Sequence, residues 1–467
     1  MFETVQMPFW LAFLLVAFAI IAAVDRLLMP SVRWYLRRRF NRAIERLNDH
    51  LQLQIQPFKL TQRRVMIDRL LYDPKVMDAV TDHAIEHEIP REVAAEKAGT
   101  YAREIVPSFS VFAYFGFAIR VCRMVSEALY RVRLGFIDDT ALRSVDPNAT
   151  VVFVMNHRSN MDYLLVTYLA AERSALSYAV GEWARVWPLQ QLIRSLGAYF
   201  VRRRSRNPLY RKVLARYVQM ATEGGVSQAI FPEGGLSLDG RPKGAKLGLL
   251  SYILDGFDPE TSRNVVFIPV GLNYDRVLED RVLTNVDPDG ERHFEFRVSV
   301  FLGFIWRQIW LSITRRFYRF GYACVSFGQP VSLKSFLKEN NLKPTAAAEA
   351  LGAGLMQKVS QVIPVLPVPL VASVFVSATE PLSRLEVKAR AHKLLQELTQ
   401  SGAHIHLPHE DEDDAIEVGL RILHSRHIVT EIEGQFQTNP PDLNLITYYA
   451  NSIHHLIPIA TKQNYIN

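Results

Sequence analysis

Hydrophobic and polar positions change rhythm several times along the chain. Between Glu3 and Asp25 no residue is charged, and as a helix this run would be roughly 31 Å long, about the thickness of a bilayer core. Met7 to Val24 is the expected membrane span, and residues 1–29 the expected anchor. No basic residue precedes the run, whereas Arg26, Arg33, Arg37, Arg38, Arg39, Arg42 and Arg46 follow it. The positive-inside rule then expects the long C-terminal part on the cytoplasmic side of a cell membrane, held by a single pass. A cleaved signal peptide fits less well, because it needs basic residues before the apolar core and a small-residue cleavage site after it. The arginine cluster serves either as a topology determinant or as a grip on anionic headgroups.

From Arg37 to about Arg103, Leu and Ile recur at three- and four-residue spacing among charges, so residues 30–129 read as a helical N-terminal region. Val111 to Val121 is apolar but about half a bilayer long, which suits a core helix or a segment lying in the interface. After Asp146, Pro147 and Asn148 the rhythm becomes short β-branched runs alternating with helical stretches: Val151 to Met155, Ala198 to Val201, Gln228 to Phe231 and Val265 to Val270. That alternation predicts an α/β domain over residues 130–335. Phe301 to Phe320 mixes aromatics with arginines and reads as interfacial or as a buried amphipathic helix. Residues 336–467 read as a mainly helical C-terminal region, in which Pro364, Pro367 and Pro369 argue against a second membrane span. The acidic run Glu410 to Asp414 reads as a solvated loop.

Composition narrows the class. Of 467 residues, 49% are hydrophobic and 22% charged, which excludes a disordered or low-complexity protein and provides for about three units of roughly 150 residues. Two cysteines, Cys122 and Cys324, make neither a disulfide framework nor a four-cysteine metal site, and no metal is expected. A formal charge of +7 favours anionic partners. Nucleic acid is the weaker choice, because the arginines gather beside the apolar run instead of interleaving with base-stacking aromatics.

Three blocks carry candidate chemistry. In Asn156-His157-Arg158-Ser159-Asn160-Met161-Asp162 a histidine and an aspartate five residues apart follow an apolar strand and lead into an apolar helix from Tyr163 to Ala171. His406 with Asp411 and His409 with Asp414 share the spacing but sit in a polar stretch, so context separates the pairs. At the C-terminal edge of a sheet, an aspartate that binds one imidazole nitrogen leaves the other to accept a proton from a hydroxyl. A helix-capping aspartate beside a structural histidine reads equally well from this block alone. The second block, Phe231-Pro232-Glu233-Gly234-Gly235-Leu236-Ser237, is followed by Gly240, Arg241, Lys243 and Lys246, glycines and cations that suit close approach to a phosphate. No Walker-type or dinucleotide-binding glycine motif is present. The third, Gly197 to Arg204, delivers arginines from a strand, either to a ligand or to a solvated basic loop.

In their order NHRSNMD, GAYFVRR, FPEGGLS and IPVGLNYD, these blocks resemble those of the glycerolipid acyltransferase superfamily. HRSNMDYLL, the paired glycines after Glu233, and Tyr448-Tyr449-Ala450-Asn451 with His455 are similar to the membrane-bound glycerol-3-phosphate acyltransferase branch. The resemblance, from about Tyr130 to the C-terminus, implies a mixed sheet flanked by helices. It implies His157 as general base and Asp162 as its orienter, with Arg202 or Arg203, Glu233, Gly234, Ser237, Arg241 and Lys246 around the glycerol phosphate. The acyl donor would be acyl-CoA or acyl-carrier protein as co-substrate, with no other cofactor, and membrane lipid would receive the product. One departure stands out: that branch reads EGGRSRTGR where this chain has Leu236 and Leu238, so two phosphate donors are missing. Arg204, Arg206, Arg241 or Lys243 then supplies the charge, or the acceptor is bound differently. The expected activity is acylation of glycerol 3-phosphate at its sn-1 hydroxyl to give lysophosphatidate. Its rivals are another acceptor, such as lysophosphatidate or a different alcohol, and a catalytically silent lipid-binding relative.

Overall fold

The computed structural model of the chain describes residues 55–170, 175–181, 189–202, 205–285, 320–340, 342, 344–407 and 412–458, with a few isolated positions elsewhere. Two compact units are present, Met1–Gln54 and Ile55–Asn467. In the first, Phe9, Trp10, Phe13, Val16 and Phe18 are helical and exposed. The rest of the expected Met7 to Val24 span, and the arginines after it, lie outside the described residues. Among the described residues no helix is long and apolar enough to cross a membrane.

After one helical turn, Pro57–Leu60, the second unit has three longer helices, α1 (Arg63–Leu71), α2 (Pro74–Glu86) and α3 (Arg91–Ile105). The start of α2 is written locally: Pro74 needs no N–H partner at the first helical position, and the Asp73 side chain accepts from the Lys75 N–H at 3.1 Å. The apolar segment expected over Val111 to Val121 is a π-helix, Phe112–Ala118, that runs into α4 (Ile119–Leu129). Tyr114 and Ala118 are buried, but Phe112, Phe117 and Met124 are exposed, so the segment has one core face and one bare apolar face.

An eight-stranded mixed sheet forms the centre. Its strands are β1 (Arg131–Ile137), β2 (Thr150–Met155), β3 (Ser177–Gly181), β4 (Tyr199–Val201), β5 (Gln228–Ile230), β6 (Val265–Tyr274), β7 (Tyr322–Phe327) and β8 (Val331–Ser332). The order is β1-β7-β6-β2-β5-β3-β4, with β8 also on β6. From β6 to β4 every neighbouring pair is parallel, so the C-terminal ends of these strands open on one edge. Every residue of β2 and β6 is buried, as expected for β-branched strands covered on both faces. Helices α5 (Asp162–Leu169), α6 (Pro208–Glu223), α7 (Gly248–Asp255) and α9 (Pro344–Gln361) cover the faces, and the short α8 (Asp280–Thr284) follows β6. Apolar residues of α2, α3, α6, α7 and α9 share one core with β2, β5 and β6.

The C-terminal part wraps four helices around one another: α10 (Pro367–Val376), α11 (Arg384–Gln400), α12 (Glu412–Ser425) and α13 (Leu443–His454). A small antiparallel sheet joins them, formed by β9 (Leu382–Ser383), β10 (Val429–Ile432) and β11 (Gln435–Thr438). Pro367 and Pro369 fall in the first turn of α10, where the missing N–H groups have no intrahelical partner to lose, so they start this helix instead of breaking it. At ten residues α10 is roughly 15 Å long, and its burial from Pro367 to Phe375 is in the helical core. Within the acidic run expected as a solvated loop, Glu412, Asp413 and Asp414 are instead the first turn of α12, where carboxylates complement the positive end of the helix dipole, and Glu410 lies outside the described residues. His409 and Asp411 of the two control pairs lie outside the described residues.

Close packing of α12 on α10 gives a direct test. A Cβ on Gly419 would sit 2.6 Å from the Pro367 carbonyl oxygen and 2.9 Å from a Val371 methyl group. Gly419→Val is expected to cost about 1–3 kcal/mol by forcing the helices apart. A fall in the urea midpoint with unchanged slope checks this, and an unshifted midpoint rejects the packing.

Candidate active site

Strand β2 ends against β6 through a side-chain extension of the ladder. Asn156 donates from Nδ2 to the Leu272 carbonyl at 2.9 Å and accepts the Leu272 N–H at 2.8 Å. That clamp sets the direction of the next residue, His157, at the carboxyl edge of the sheet. A tight turn follows, with the Asp162 N–H on the Ser159 carbonyl at 3.0 Å, and α5 begins at Asp162.

The turn brings the imidazole and the carboxylate together: His157 Nδ1 lies 2.9 Å from Asp162 Oδ2. The same oxygen accepts the N–H groups of Arg158 and Ser159 at 2.8 and 3.1 Å, and Oδ1 accepts the Tyr274 hydroxyl at 2.6 Å. Asp162 is fully buried and His157 is 1% exposed. With Nδ1–H donated to the carboxylate, the lone pair of the neutral ring resides on Nε2. The ring rests on Phe231, centroids 4.3 Å apart, with Tyr163 at its edge.

The second block arrives beside it at the end of β5. Ser237 donates its N–H to the His157 carbonyl at 2.9 Å, tying the two blocks directly. Glu233 is buried, and neither carboxyl oxygen has a hydrogen bond of good geometry, although the N–H groups of His157 and Lys243 face it. Burial pushes its pKa up to about 8 against the pull of those groups and of Arg158. Arg158 is 3% exposed; Nη1 donates to the Gly240 carbonyl at 2.6 Å, while Nε and Nη2 are buried without a partner. A carboxyl and a guanidinium left without full hydrogen bonding are costly in a finished core, and both suit a polar ligand.

The other candidate residues divide. Gly234 has φ +72°, and a Cβ there would strike the Lys246 stem at 2.6 Å, so glycine is required and Lys246 lies across it. Ser237 spends its hydroxyl within the loop, on the Arg241 carbonyl at 2.8 Å and on Asp239 at 3.2 Å. Arg241 and Lys246 are exposed at the rim, and Leu236 and Leu238 are half-buried. Arg202 forks onto Glu104 at 2.9 and 2.6 Å. It lines a cleft of about 950 Å³ with Lys75, Arg211, Lys212 and Tyr252, and is already engaged by a carboxylate. Arg203 and Arg204 lie outside the described residues.

Four residues of this architecture had no role assigned from the sequence. Tyr274 comes from the IPVGLNYD block and completes Asp162. Arg158 sits inside the first block. Glu279 accepts from the Ser159 hydroxyl at 2.8 Å and from the Asn160 backbone and amide at 3.2 and 3.0 Å, and so pins the outer side of the turn. Burial pushes its pKa up to about 7. Tyr448 from α13 stacks on Arg158, with the guanidinium 4.4 Å above its ring. Tyr274 and Arg158 were within reach of the block pattern; Glu279 and Tyr448 become partners of the turn only through the fold.

Comparison with known proteins agrees with this architecture. Residues 137–273 match the protein-family model for acyltransferases, and residues 308–460 match that for the glycerol-3-phosphate acyltransferase C-terminal region. The glycerol-3-phosphate acyltransferase of Pseudomonas entomophila (strain L48) is 28% identical over 429 residues, covering 86% of this chain and 49% of that protein. The chain resembles the glycerol-3-phosphate acyltransferases over most of its length. The glycerol-3-phosphate acyltransferase of Aeromonas hydrophila is 27% identical over 437 residues, 86% of this chain and 51% of that protein. The chain thus spans about half the length of these curated relatives. A solved 1-acyl-sn-glycerophosphate acyltransferase from Thermotoga maritima aligns at 17% identity over 52% of this chain and 77% of that one, with a TM-score of 0.31, too weak a likeness to support any inference. Of the candidate site, His157, Asp162 and Glu233 fall in the first family match, and Tyr448 in the second.

The buried Glu233 sets a pH signature. Its folded-state pKa of about 8 lies above the ordinary 4.5, so the stability linked to its protonation is present below 4.5 and is lost as pH rises toward 8. The melting temperature of Glu233→Gln relative to wild type is therefore expected to rise between pH 5 and 8 and to level off above. A difference that stays flat across that range would rule out a buried, protonated Glu233.

Proposed function

We propose that the chain is a membrane-associated acyltransferase that moves a fatty acyl group from a thioester to the sn-1 hydroxyl of glycerol 3-phosphate, giving lysophosphatidate. The observation that carries this reading is the buried His157–Asp162 pair beside the unsatisfied Glu233 and Arg158. Asp162 holds the Nδ1 proton, and Nε2 takes the proton of the attacking hydroxyl as its oxygen bonds to the thioester carbonyl carbon. The tetrahedral intermediate collapses with cleavage of the carbon–sulfur bond, and the imidazolium returns the proton to the thiolate. No acyl-enzyme forms and no cofactor beyond the acyl-CoA or acyl-carrier-protein co-substrate takes part.

Arg158 is the guanidinium with open donors inside the site, and it offers the acceptor's phosphate a partner in place of the arginines replaced by Leu236 and Leu238. Arg241 and Lys246 add charge at the rim. Glu233, carrying a proton or accepting one, suits a glycerol hydroxyl. The basic cleft at the end of β4 suits an anionic donor, the phosphates of CoA or the acidic surface of a carrier protein. Association with a cell membrane, catalytic side facing the cytoplasm, is supported by the Met7 to Val24 run and by the bare face of Phe112, Phe117 and Met124, with Arg120 and Arg123 beside it. Lysophosphatidate is an amphiphile, and release at that surface hands it to lipid.

Acyl transfer from labelled palmitoyl-CoA by detergent-solubilised protein tests the proposal, with glycerol 3-phosphate, lysophosphatidate and no acceptor run in parallel. Wild type should form lysophosphatidate, and His157→Ala should lose roughly 10²–10⁴-fold in rate while melting normally. Near-normal turnover in that variant would sink the mechanism. Activity on lysophosphatidate alone would mean that Leu236 and Leu238 mark a different acceptor.

A further inference from the structure

A second cluster of ligand-type side chains stands at the C-terminal end of α2, an element that holds none of His157, Asp162, Glu233 and Arg158. His83, Glu86 and His87 occupy positions i, i+3 and i+4, the spacing that puts three side chains on one helical face. One ligand atom from each lies within 4.8 Å of the other two. His83 is 3% exposed, yet neither of its ring nitrogens has a hydrogen-bond partner. A buried imidazole with both nitrogens orphaned forfeits its hydration without return.

From these observations we propose that His83, Glu86 and His87 form a binding site for a divalent transition-metal ion of the zinc type. Two features of the helix end suit such an ion. His87 Nδ1 lies 3.2 Å from the His83 carbonyl oxygen, and donation there fixes the tautomer and leaves the Nε2 lone pair for a metal, the usual outer support of a ligating histidine. The helix stops here, with Glu88 at φ 51°, so a cation would sit at the negative end of the α2 dipole. Tetrahedral zinc at about 2.0–2.2 Å from each ligand needs donor atoms roughly 3.4 Å apart. Closing from 4.8 Å falls mainly to Glu86, whose side chain is 62% exposed and free to change rotamer. With three protein ligands the fourth position is left to water, and the ion would tie the last turn of α2, which packs on α3 and α6.

The test is Zn²⁺ uptake by the full chain measured against a chromophoric chelator, with Co²⁺ absorption reporting the coordination. Wild type should take up one tight equivalent of Zn²⁺, give a four-coordinate Co²⁺ band and melt at a higher temperature with Zn²⁺ than without. His83→Ala and His87→Ala should each weaken uptake at least about ten-fold. His87 is exposed, so its variant keeps the fold even if that of His83 does not. His392→Ala removes the histidine that meets Glu412 and Asp413, a separate histidine–carboxylate cluster, and should leave the tight equivalent in place. No uptake by wild type, or uptake that His87→Ala leaves unchanged, overturns the site.

Discussion

A carboxylate cannot be buried without donors, and Asp162 is buried completely. No ammonium or guanidinium is placed on it among the described residues; instead His157 Nδ1–H, two backbone N–H groups and the Tyr274 hydroxyl satisfy its two oxygens. This requirement shapes what surrounds it. The turn after β2 must fold back tightly enough to aim the Arg158 and Ser159 N–H groups at one oxygen, and α5 must begin at Asp162 itself. Strand β6 must lie beside β2 in the parallel register Thr150↔Val265 to Met155↔Val270, because only then does its end bring Tyr274 to the other oxygen. Loss of one donor would leave a partly unsatisfied anion in the core, which is why these elements form a single unit and not independent ornaments.

The C-terminal helices act as a wall of the same site. Tyr448 covers Arg158, and its backbone carbonyl lies where a side chain on Gly240 would be, 1.9 Å from the position of a Cβ. Asn451 donates to the Asp239 carbonyl at 2.8 Å, so α13 holds the loop that carries Ser237 and Arg241. Beyond Glu279, Asp280 is bound by Arg426 at 2.6 Å and by the Tyr449 hydroxyl, and Arg281 reaches Asp442 at 2.8 Å. Asn273 adds hydrogen bonds to the Pro364 carbonyl and Ser452. The two stretches that match separate family models are therefore interlocked at the turn carrying His157, and the geometry of that turn depends on both.

Parts of this were legible in order and type. Strands β2, β4, β5 and β6 read as apolar β-branched runs, because strands covered on both faces leave no polar alternation to confuse them. Strand β1, with Arg131 and Arg133 exposed along a half-buried edge, has no such run and was not singled out within the α/β region. The π-helical segment showed its length but not that Phe112 and Phe117 would stand bare while Tyr114 packed inward. Arg202 was readable as a strand-delivered cation, yet its commitment to Glu104, 98 positions earlier, follows from the packing of α3 beside β4 and from nothing local.

By itself the sequence determined the alternation of strand and helix, the order of the blocks and the proximity of His157 to Asp162, all of which depend on residues close together in the chain and on periodicities of 2 and 3.6. Tertiary structure decided which polar groups would be satisfied. It gave Asp162 four donors, left Glu233 and Arg158 wanting, spent Arg202 and the Ser237 hydroxyl on internal partners, and brought Glu279 and Tyr448 to a turn 120 and 290 residues away in the chain. The reason is physical: hydrogen bonding and burial depend on distance in space, and only the assembled sheet edge and the helix laid against it set those distances.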